Sequence, residues 1–272
     1  MSKNFIKIEL ELKKKINFGS SLVILQECLL LSKLYKKKNI VLNIIGKKIN
    51  KNIFFIRKFL KFKFIITRNK NFKSDVKLNQ IIKKKNYYSY LLINKIFEIF
   101  KIFPIFEFNN NVIKNIKYLI KKKKLNRFVT IHMKHDKLNK IANANIFFWK
   151  KVINFFLDKN FKVVIVGSQE NEKFFVNLKN IFCCFENKID LVSQGALIHK
   201  SEAFIGNASG FCCFANFSRV PQLVIKHPKH HKSEIFKEIK NNKLLFSKKN
   251  QYFVLENQSF NKIKKYLNAV QK

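Results

Sequence analysis

Short apolar runs that end in glycine alternate with helical segments along this chain, and this order constrains the fold more than any other feature. Lys162 to Val166, followed by Gly167, is a mainly apolar run of the kind that forms a parallel strand buried on both faces. Ile40 to Gly46 has the same character. Because parallel strands need crossovers that are usually helical, the pattern predicts an α/β protein.

The first half of the chain opens with an alternating segment, Phe5 to Leu12, whose apolar and charged residues fall on opposite faces of a predicted strand. A helix is predicted from Leu22 to about Tyr35, with Ser20 or Ser21 as its N-cap. Residues 47 to 127 carry no recognisable motif.

The second half gives a clearer series of elements. Asn143 or Asn145 is the predicted cap of a helix that reaches about Lys159 and carries Trp149 on its apolar face. The other predicted elements are strands at Phe128–Met133, Ala203–Ile205 and Gln222–Ile225, a short apolar run at Ile189–Val192, and helices near Glu170–Asn180 and Ala196–Lys200. Strands that alternate with helices imply a parallel sheet with right-handed crossovers.

The run Lys121 to Lys124 divides the chain, since a block of like charges repels itself and is usually solvated. The 272 residues are enough for two domains of ordinary size. We therefore predict two Rossmann-like domains with parallel sheets, comprising residues 1–120 and 125–272.

The net charge of +40 comes from 56 basic and 16 acidic residues, but only four of the basic residues are arginine. Lysine, phenylalanine, isoleucine and asparagine share codons made mainly of A and T, which indicates that much of the charge reflects base composition. A protein that reads phosphates and bases would be expected to use bidentate guanidinium groups. We expect weak, salt-dependent attraction to polyanions and no specific nucleic acid.

The cysteines and the apolar segments indicate a cytoplasmic protein. The five cysteines include the adjacent pairs Cys183–Cys184 and Cys212–Cys213, which form neither a disulfide framework nor a Cys-x-x-Cys knuckle. The N-terminus lacks the apolar region of a signal peptide. Leu91 to Phe108, the most apolar long stretch, is interrupted by four charges that would be costly inside a bilayer.

The segment most informative about function is Phe204 to Phe211, in which the turn Gly206 to Gly210 joins a strand to a predicted helix. Backbone N–H groups and the helix dipole at such a turn suit an anion, and diphosphate is the natural ligand. The alternative is a tight turn in which Ser209 is an ordinary N-cap.

The order of these elements resembles the C-terminal domain of the two-Rossmann-domain (GT-B) glycosyltransferases, and most closely the heptosyltransferase-like family. The matching features are Val129–Met133, Trp149, Val163–Glu170, Gly206–Gly210 and Pro221, which cover roughly 100 residues in order and spacing. Phe5 to Gly46 is similar to the family's opening strand, loop and helix. The resemblance implies a nucleotide-sugar donor bound by residues 125–272 and an acceptor facing residues 1–120.

The resemblance also implies which residues bind the donor. Lys134 and His135 follow the first strand of the second domain, where the family often places a cation near the donor phosphates. The implied donor-binding residues are Lys134, His135, Ser168, Glu170, Gly206, Asn207, Ser209 and Gly210. No metal and no cofactor is expected, since no Asp-x-Asp-like pair is visible.

Two departures from the family affect the chemistry. Ala208 replaces the family's Asp in the turn, and Ser20 stands where the opening loop usually has the catalytic carboxylate. Because sugar transfer needs a base for the acceptor hydroxyl, Glu11, Glu9 and Asp136 are the replacement candidates.

The sequence thus predicts a glycosyltransferase that moves a sugar from a nucleotide-diphosphate donor to a glycan or lipid-linked acceptor. Its lysines would favour peripheral contact with an anionic membrane. Two alternatives stay open: a catalytically degenerate glycosyltransferase-like binding protein, and a basic nucleic-acid-binding protein. His227, His230 and His231 are read as a solvated loop, since no pair has zinc-site spacing.

Overall fold

The computed structural model describes residues 4–13, 16–46, 56–81, 89–137, 140–167, 173–176, 178–229 and 238–271. The chain forms two compact units, 1–110 and 111–272. The division precedes a helix that ends in the lysine run, so this run closes a helix of the second unit. The assignment of residues 1–120 and 125–272 to acceptor and donor stays a prediction.

The first unit contains a parallel sheet of four strands in the order β3-β2-β1-β4. Its elements are β1 (Phe5–Leu12), α1 (Phe18–Leu34), β2 (Asn39–Gly46), β3 (Lys63–Thr67), β4 (Val76–Lys77), α2 (Leu78–Ile81) and α3 (Leu91–Phe100). Ile6, Ile8 and Leu10 face a buried layer, while the alternate residues Lys7 and Glu9 lie on the other, partly open face.

Helix α1 begins four residues earlier than its sequence pattern predicts, and the prediction of Ser20 or Ser21 as N-cap is wrong. Asn17 is the N-cap, since its Oδ1 accepts a hydrogen bond from the Ser20 N–H at 2.8 Å. The Ser21 hydroxyl donates to the Asn17 carbonyl oxygen at 2.9 Å. Both serines therefore belong to a buried first turn.

The second unit contains a parallel sheet of six strands in the order β12-β9-β8-β5-β6-β7. Its elements are α4 (Asn110–Lys122), β5 (Phe128–His132), α5 (Ile146–Leu157), β6 (Lys162–Val166), β7 (Ile181–Cys183), α6 (Leu191–Lys200), β8 (Ala203–Asn207), α7 (Cys212–Asn216), β9 (Gln222–Lys226), β10 (Ile239–Lys240), β11 (Lys243–Leu244), β12 (Gln251–Leu255) and α8 (Phe260–Val270). Strands β10 and β11 form a separate antiparallel hairpin.

This architecture confirms the predicted fold class, two α/β units with parallel sheets. Most predicted strands and helices of the second half are present, and Asn145 caps α5 through a bond from the Phe148 N–H to its Oδ1. The run Ile189–Val192 instead contains Asp190, the N-cap of α6. The helix predicted at Glu170–Asn180 lies partly outside the described residues, and its described residues form turns.

The core of the second unit lies between its sheet and helices α5 and α8. Trp149, Val152 and Phe156 of α5 are fully buried against apolar strand residues. All five cysteines are buried thiols. Among the described residues, no helix combines the length and the apolar character needed to cross a bilayer.

Candidate functional site

The order of the second sheet marks one end of it as the place where a ligand would bind. From β5 the chain proceeds to β6 and β7 on one side, and then returns through β8 to β9 and β12 on the other. In open parallel sheets, ligands bind outside the carboxyl ends of the strands where the order reverses. Here that point lies beyond β5 and β8, so the residues that follow these strands form the candidate site.

Hydrogen bonds join the carboxyl ends of three neighbouring strands at this point. The Lys134 backbone N–H, after β5, donates to Asn207 Oδ1 at 3.1 Å. Asn207 ends β8 and is buried. The Ala208 N–H donates to the Ile225 carbonyl oxygen of β9 at 2.8 Å. These bonds join the loop after β5 to the end of β8, and the loop after β8 to the end of β9.

Two lysines converge on this edge. Lys226 ends β9 with only 6% of its surface exposed, and the Lys134 side chain is 15% exposed. Burial, together with the nearby charge of Lys134, lowers the pKa of Lys226 to about 8, while Cys212 opposes the change. Two ammonium groups held close together disfavour each other's charge, so an anion bound here would stabilise both.

Asp136 lies on the same loop and partly balances this charge. Its Oδ2 is 3.2 Å from Lys134 Nζ, and its backbone N–H donates to Asn143 Oδ1 at 2.6 Å. His135, between the two, is exposed. The structure thus brings three predicted site residues, Lys134, Asn207 and Asp136, into one cluster.

The turn from Gly206 to Gly210 differs from its predicted form. Gly206 belongs to β8, where a Cβ atom would lie 2.8 Å from Phe204 Cζ and 3.1 Å from His132 Cβ. A glycine is therefore needed here for packing inside the unit, and not for approach of a ligand. Phe211 is the N-cap of α7, so the alternative in which Ser209 is an ordinary N-cap is wrong. The Ser209 hydroxyl oxygen accepts the Phe211 N–H at 3.1 Å. Because α7 has only five residues, the lysine pair is the stronger anion-binding feature.

His132 forms the buried floor of the cluster. Its Nδ1–H donates to the Val166 carbonyl oxygen at 3.0 Å, and its ring stacks on Phe211 with the centroids 4.8 Å apart. Burial lowers the pKa of His132 to about 4, and the charge of Lys134 acts in the same direction although the bond to Val166 opposes it. His132 is therefore neutral near pH 7.

The two N-terminal base candidates lie in the first unit. Glu9 Oε1 is 3.8 Å from Lys77 Nζ. Glu11 is exposed at the carboxyl end of β1, where its backbone N–H donates to Asn79 Oδ1 at 2.9 Å. Ser20, predicted to occupy the position of the family's carboxylate, is 4% exposed inside the first turn of α1.

Two of the predicted donor-binding residues, Ser168 and Glu170, lie outside the described residues. Across the described ranges, no group of three or more His, Cys, Asp or Glu side chains could hold a metal ion.

Sequence reasoning missed Lys226 and Gln258. Both line a cavity of about 10 Å³ beside Asn207 and Ala208. Gln258 Oε1 accepts the Asn145 N–H at 2.9 Å and Trp149 Nε1–H at 3.0 Å, while its Nε2 donates to the Asn143 carbonyl oxygen at 2.9 Å. The sequence signal for Lys226 is its position as a charged residue at the end of an otherwise buried apolar strand. The residues around Gln258 in the sequence carry no comparable signal of its partners.

Comparison with solved structures places this architecture in a known fold. A family 9 glycosyltransferase of Veillonella parvula matches with a TM-score of 0.62 and 10% identity, covering 97% of this chain and 90% of that one. The E. coli heptosyltransferase WaaC, in complex with ADP-2-deoxy-2-fluoro heptose, matches with a TM-score of 0.58 and 8% identity over 98% of each chain. The chain has the fold of the GT-B glycosyltransferases.

A further match, E. coli ADP-heptose lipopolysaccharide heptosyltransferase II, has a TM-score of 0.51 and 11% identity, covering 83% of this chain and 86% of that one. No protein-family model and no curated protein sequence matches the chain. The resemblance predicted from the motifs is therefore confirmed at the level of the fold. At these identities the fold carries no substrate with it.

Proposed function

We propose that this protein transfers a sugar from a nucleotide-diphosphate donor to a glycan or lipid-linked acceptor. The single observation that carries the proposal is the pair Lys134 and Lys226 at the switch point of the second sheet. A diphosphate would neutralise two cations that otherwise repel each other. The fold supports the same conclusion, since one similar structure holds an ADP-sugar analogue.

The chemistry follows from the charge that develops during transfer. When the anomeric carbon–oxygen bond breaks, negative charge grows on the departing diphosphate, and preorganised cations stabilise that charge. Lys134, held by its backbone bond to Asn207, and Lys226, fixed by burial, fit this role. Asp136, paired with Lys134, would orient the ammonium group more readily than act as the base.

The acceptor hydroxyl must lose its proton, and Glu11 is the base candidate that we favour. It is exposed at the carboxyl end of β1, next to β4, where the strand order of the first sheet also reverses. Glu9 ranks second, because its carboxylate lies near Lys77. Turnover of Glu11→Gln tests the assignment, since a lost base lowers the rate by roughly 10²- to 10⁴-fold.

The lysine-rich surface favours an acceptor at an anionic, cytoplasmic membrane face, where an envelope glycan precursor would be found. The reaction is proposed to need no metal.

Ligand-dependent stability tests the donor site directly. ADP, GDP and UDP are compared with their monophosphates during unfolding of the purified chain, and a ligand at 100 times its Kd should add roughly 2.7 kcal/mol. Lys134→Gln should remove most of the shift, whereas Lys150→Gln, an exposed lysine of α5, should leave it unchanged. If none of the diphosphates stabilises the wild type, the donor site is refuted.

Release of nucleoside diphosphate from nucleotide sugars, with and without a cell-envelope extract, then separates the two remaining functions. Turnover supports the transferase. Diphosphate binding without any turnover supports the degenerate binding protein.

A further inference from the structure

The partly open face of the first sheet carries a groove whose described lining includes none of the residues assigned to the proposed transfer. It has a volume of about 700 Å³, within the range of about 300 to 1,000 Å³ typical of small-molecule sites. Its residues all precede residue 74. The described residues that line the groove therefore all belong to the first unit.

The floor of the groove is a row of directly paired strand residues. Lys7 of β1 is in register with Val41 of β2, and Val41 is in register with Ile65 of β3. Because alternate strand residues share a face, Phe5 and Thr67 lie on this same face. The floor thus combines apolar side chains with one cation and one hydroxyl group.

The loop between β3 and β4 forms the wall and is fixed at both ends. At one end, Asn43 Oδ1 accepts the Asn69 N–H at 2.8 Å and Asn43 Nδ2 donates to the Asn69 carbonyl oxygen at 2.9 Å. At the other, Asp75 Oδ2 accepts the Lys7 N–H at 2.7 Å and the Asp75 N–H donates to the Lys7 carbonyl oxygen at 2.8 Å. The loop is held in place independently of any ligand.

Between these fixed ends the loop contributes Phe72 and Lys73 to the groove. Among the described residues that line the groove, Lys7 and Lys73 are charged and none is acidic. The charge offered by the lining is therefore positive, and Glu9, two residues from Lys7 on β1, lies 3.8 Å from Lys77 Nζ. An apolar floor with two cations suits a ligand that is apolar along its length and anionic at one end.

We propose that this groove binds a single-chain anionic amphiphile, such as a long-chain carboxylate or alkyl phosphate. Its chain lies over Val41 and Ile65 against Phe72, and its head group pairs with Lys7 and Lys73. Burial of methylene groups supplies affinity, and the two ammonium groups select the sign of the head group.

Equilibrium binding of dodecanoate to the full chain, below its micellar concentration, tests the proposal. Because a chain of charge +40 attracts any anionic surfactant weakly, the test depends on stoichiometry and selectivity. We expect one saturable site per chain, with dodecanoate preferred about tenfold or more over dodecyltrimethylammonium of equal length, given the strength of charge-assisted contacts.

Variants locate the site. Lys7→Gln and Lys73→Gln should each weaken binding of dodecanoate about tenfold, and Ile65→Trp, at a partly exposed floor position, should block it by filling the groove. Lys95→Gln removes an exposed lysine of α3 and is the matched control, which should bind like the wild type. Equal binding of both surfactants, or lysine variants indistinguishable from Lys95→Gln, would overturn the proposal.

Discussion

At the scale of single residues, Lys226 carries the most information about function. An amine buried at the end of a strand beside another lysine lowers the stability of the folded protein. Proteins retain destabilising residues of this kind where their function requires them. His132, equally buried, avoids that cost by staying neutral. The contrast agrees with the proposal that the charge on Lys226 serves an anionic ligand.

Replacing Lys226 by methionine should therefore stabilise the unliganded protein while weakening diphosphate binding. A buried charge exchanged for an apolar group of similar length commonly gains about 1 to 4 kcal/mol, and loss of one charge-assisted contact should reduce ADP affinity about tenfold. Urea unfolding and calorimetric titration measure the two quantities. Lys150→Met should change neither, and a variant that lost stability and kept its affinity would contradict this role.

The lowered pKa also fixes the sign of the pH dependence. Between pH 10.5 and about 8 the folded state holds fewer protons than the unfolded state, so the contribution of Lys226 to stability falls as pH falls through that window. Binding a diphosphate favours the protonated amine, so ADP affinity should decrease as pH rises above about 8. Lys226→Met should lack this step in both profiles.

At the scale of elements, Gln258 shows how the site is supported from a distance. Its side chain links the end of β12 to the loop after β5 and to the start of α5, over more than 100 residues of sequence. It holds a left-handed backbone conformation, with φ of 41°, that residues other than glycine rarely adopt. Such a conformation persists where surrounding contacts require it.

Gln258→Ala should destabilise the second unit by roughly 1 to 3 kcal/mol, because it leaves the buried Trp149 N–H without an acceptor. Gln258→Glu keeps both acceptor contacts but sets a carboxylate oxygen against the Asn143 carbonyl oxygen, so it should also lose stability. In a Trp149→Phe background the cost of Gln258→Ala should shrink, which a double-mutant cycle by urea unfolding measures. Additive losses would show that the bond to Trp149 contributes nothing.

The elements also show what the sequence could and could not predict. Strands β5, β6, β8 and β9 were predictable, because a short run of apolar residues between turns seldom forms anything other than a buried strand. The cap at Asn17 was missed because Gly19 suggested a loop, although burial of α1 on nearly every side tolerates a glycine in its first turn. Ile189–Val192 was misread because the cap Asp190, which bonds to the Val192 and Ser193 N–H groups, matters more than its apolar neighbours.

Within the candidate site, the loop after β5 was predictable because it follows an unmistakable strand. Lys226 and Gln258 were not, since their importance depends on pairing between strands that are far apart in sequence. Asn207 was predicted as a ligand contact, and its side-chain oxygen in fact positions Lys134. Spacing thus located the end of the sheet correctly, while the roles within it required the tertiary contacts.

At the scale of the whole molecule, the charge of +40 is the feature most easily mistaken for a function. Of the four arginines, Arg57 donates to the Phe64 carbonyl oxygen at 2.9 Å, and Arg127 lies over the Phe161 ring at 4.0 Å. These two guanidinium groups are committed to internal contacts. The positive surface therefore consists almost wholly of lysine, which attracts phosphates without reading bases.

Binding to nucleic acid should accordingly be indifferent to sequence and should weaken steeply with salt. Each lysine–phosphate contact releases a counterion, so a surface making six to ten such contacts loses roughly 10³- to 10⁵-fold in affinity between about 50 and 200 mM salt. Fluorescence anisotropy on duplexes of unrelated sequence measures both properties.

Replacing the exposed Arg68 and Arg219 by lysine keeps the charge and should change neither the affinity nor the salt slope. ADP binding at the Lys134 and Lys226 pair involves far fewer phosphates, so its salt dependence should be much shallower. Sequence-selective binding that persists at 200 mM salt, and that is lost in the arginine variants, would instead make recognition of nucleic acid the function of this surface.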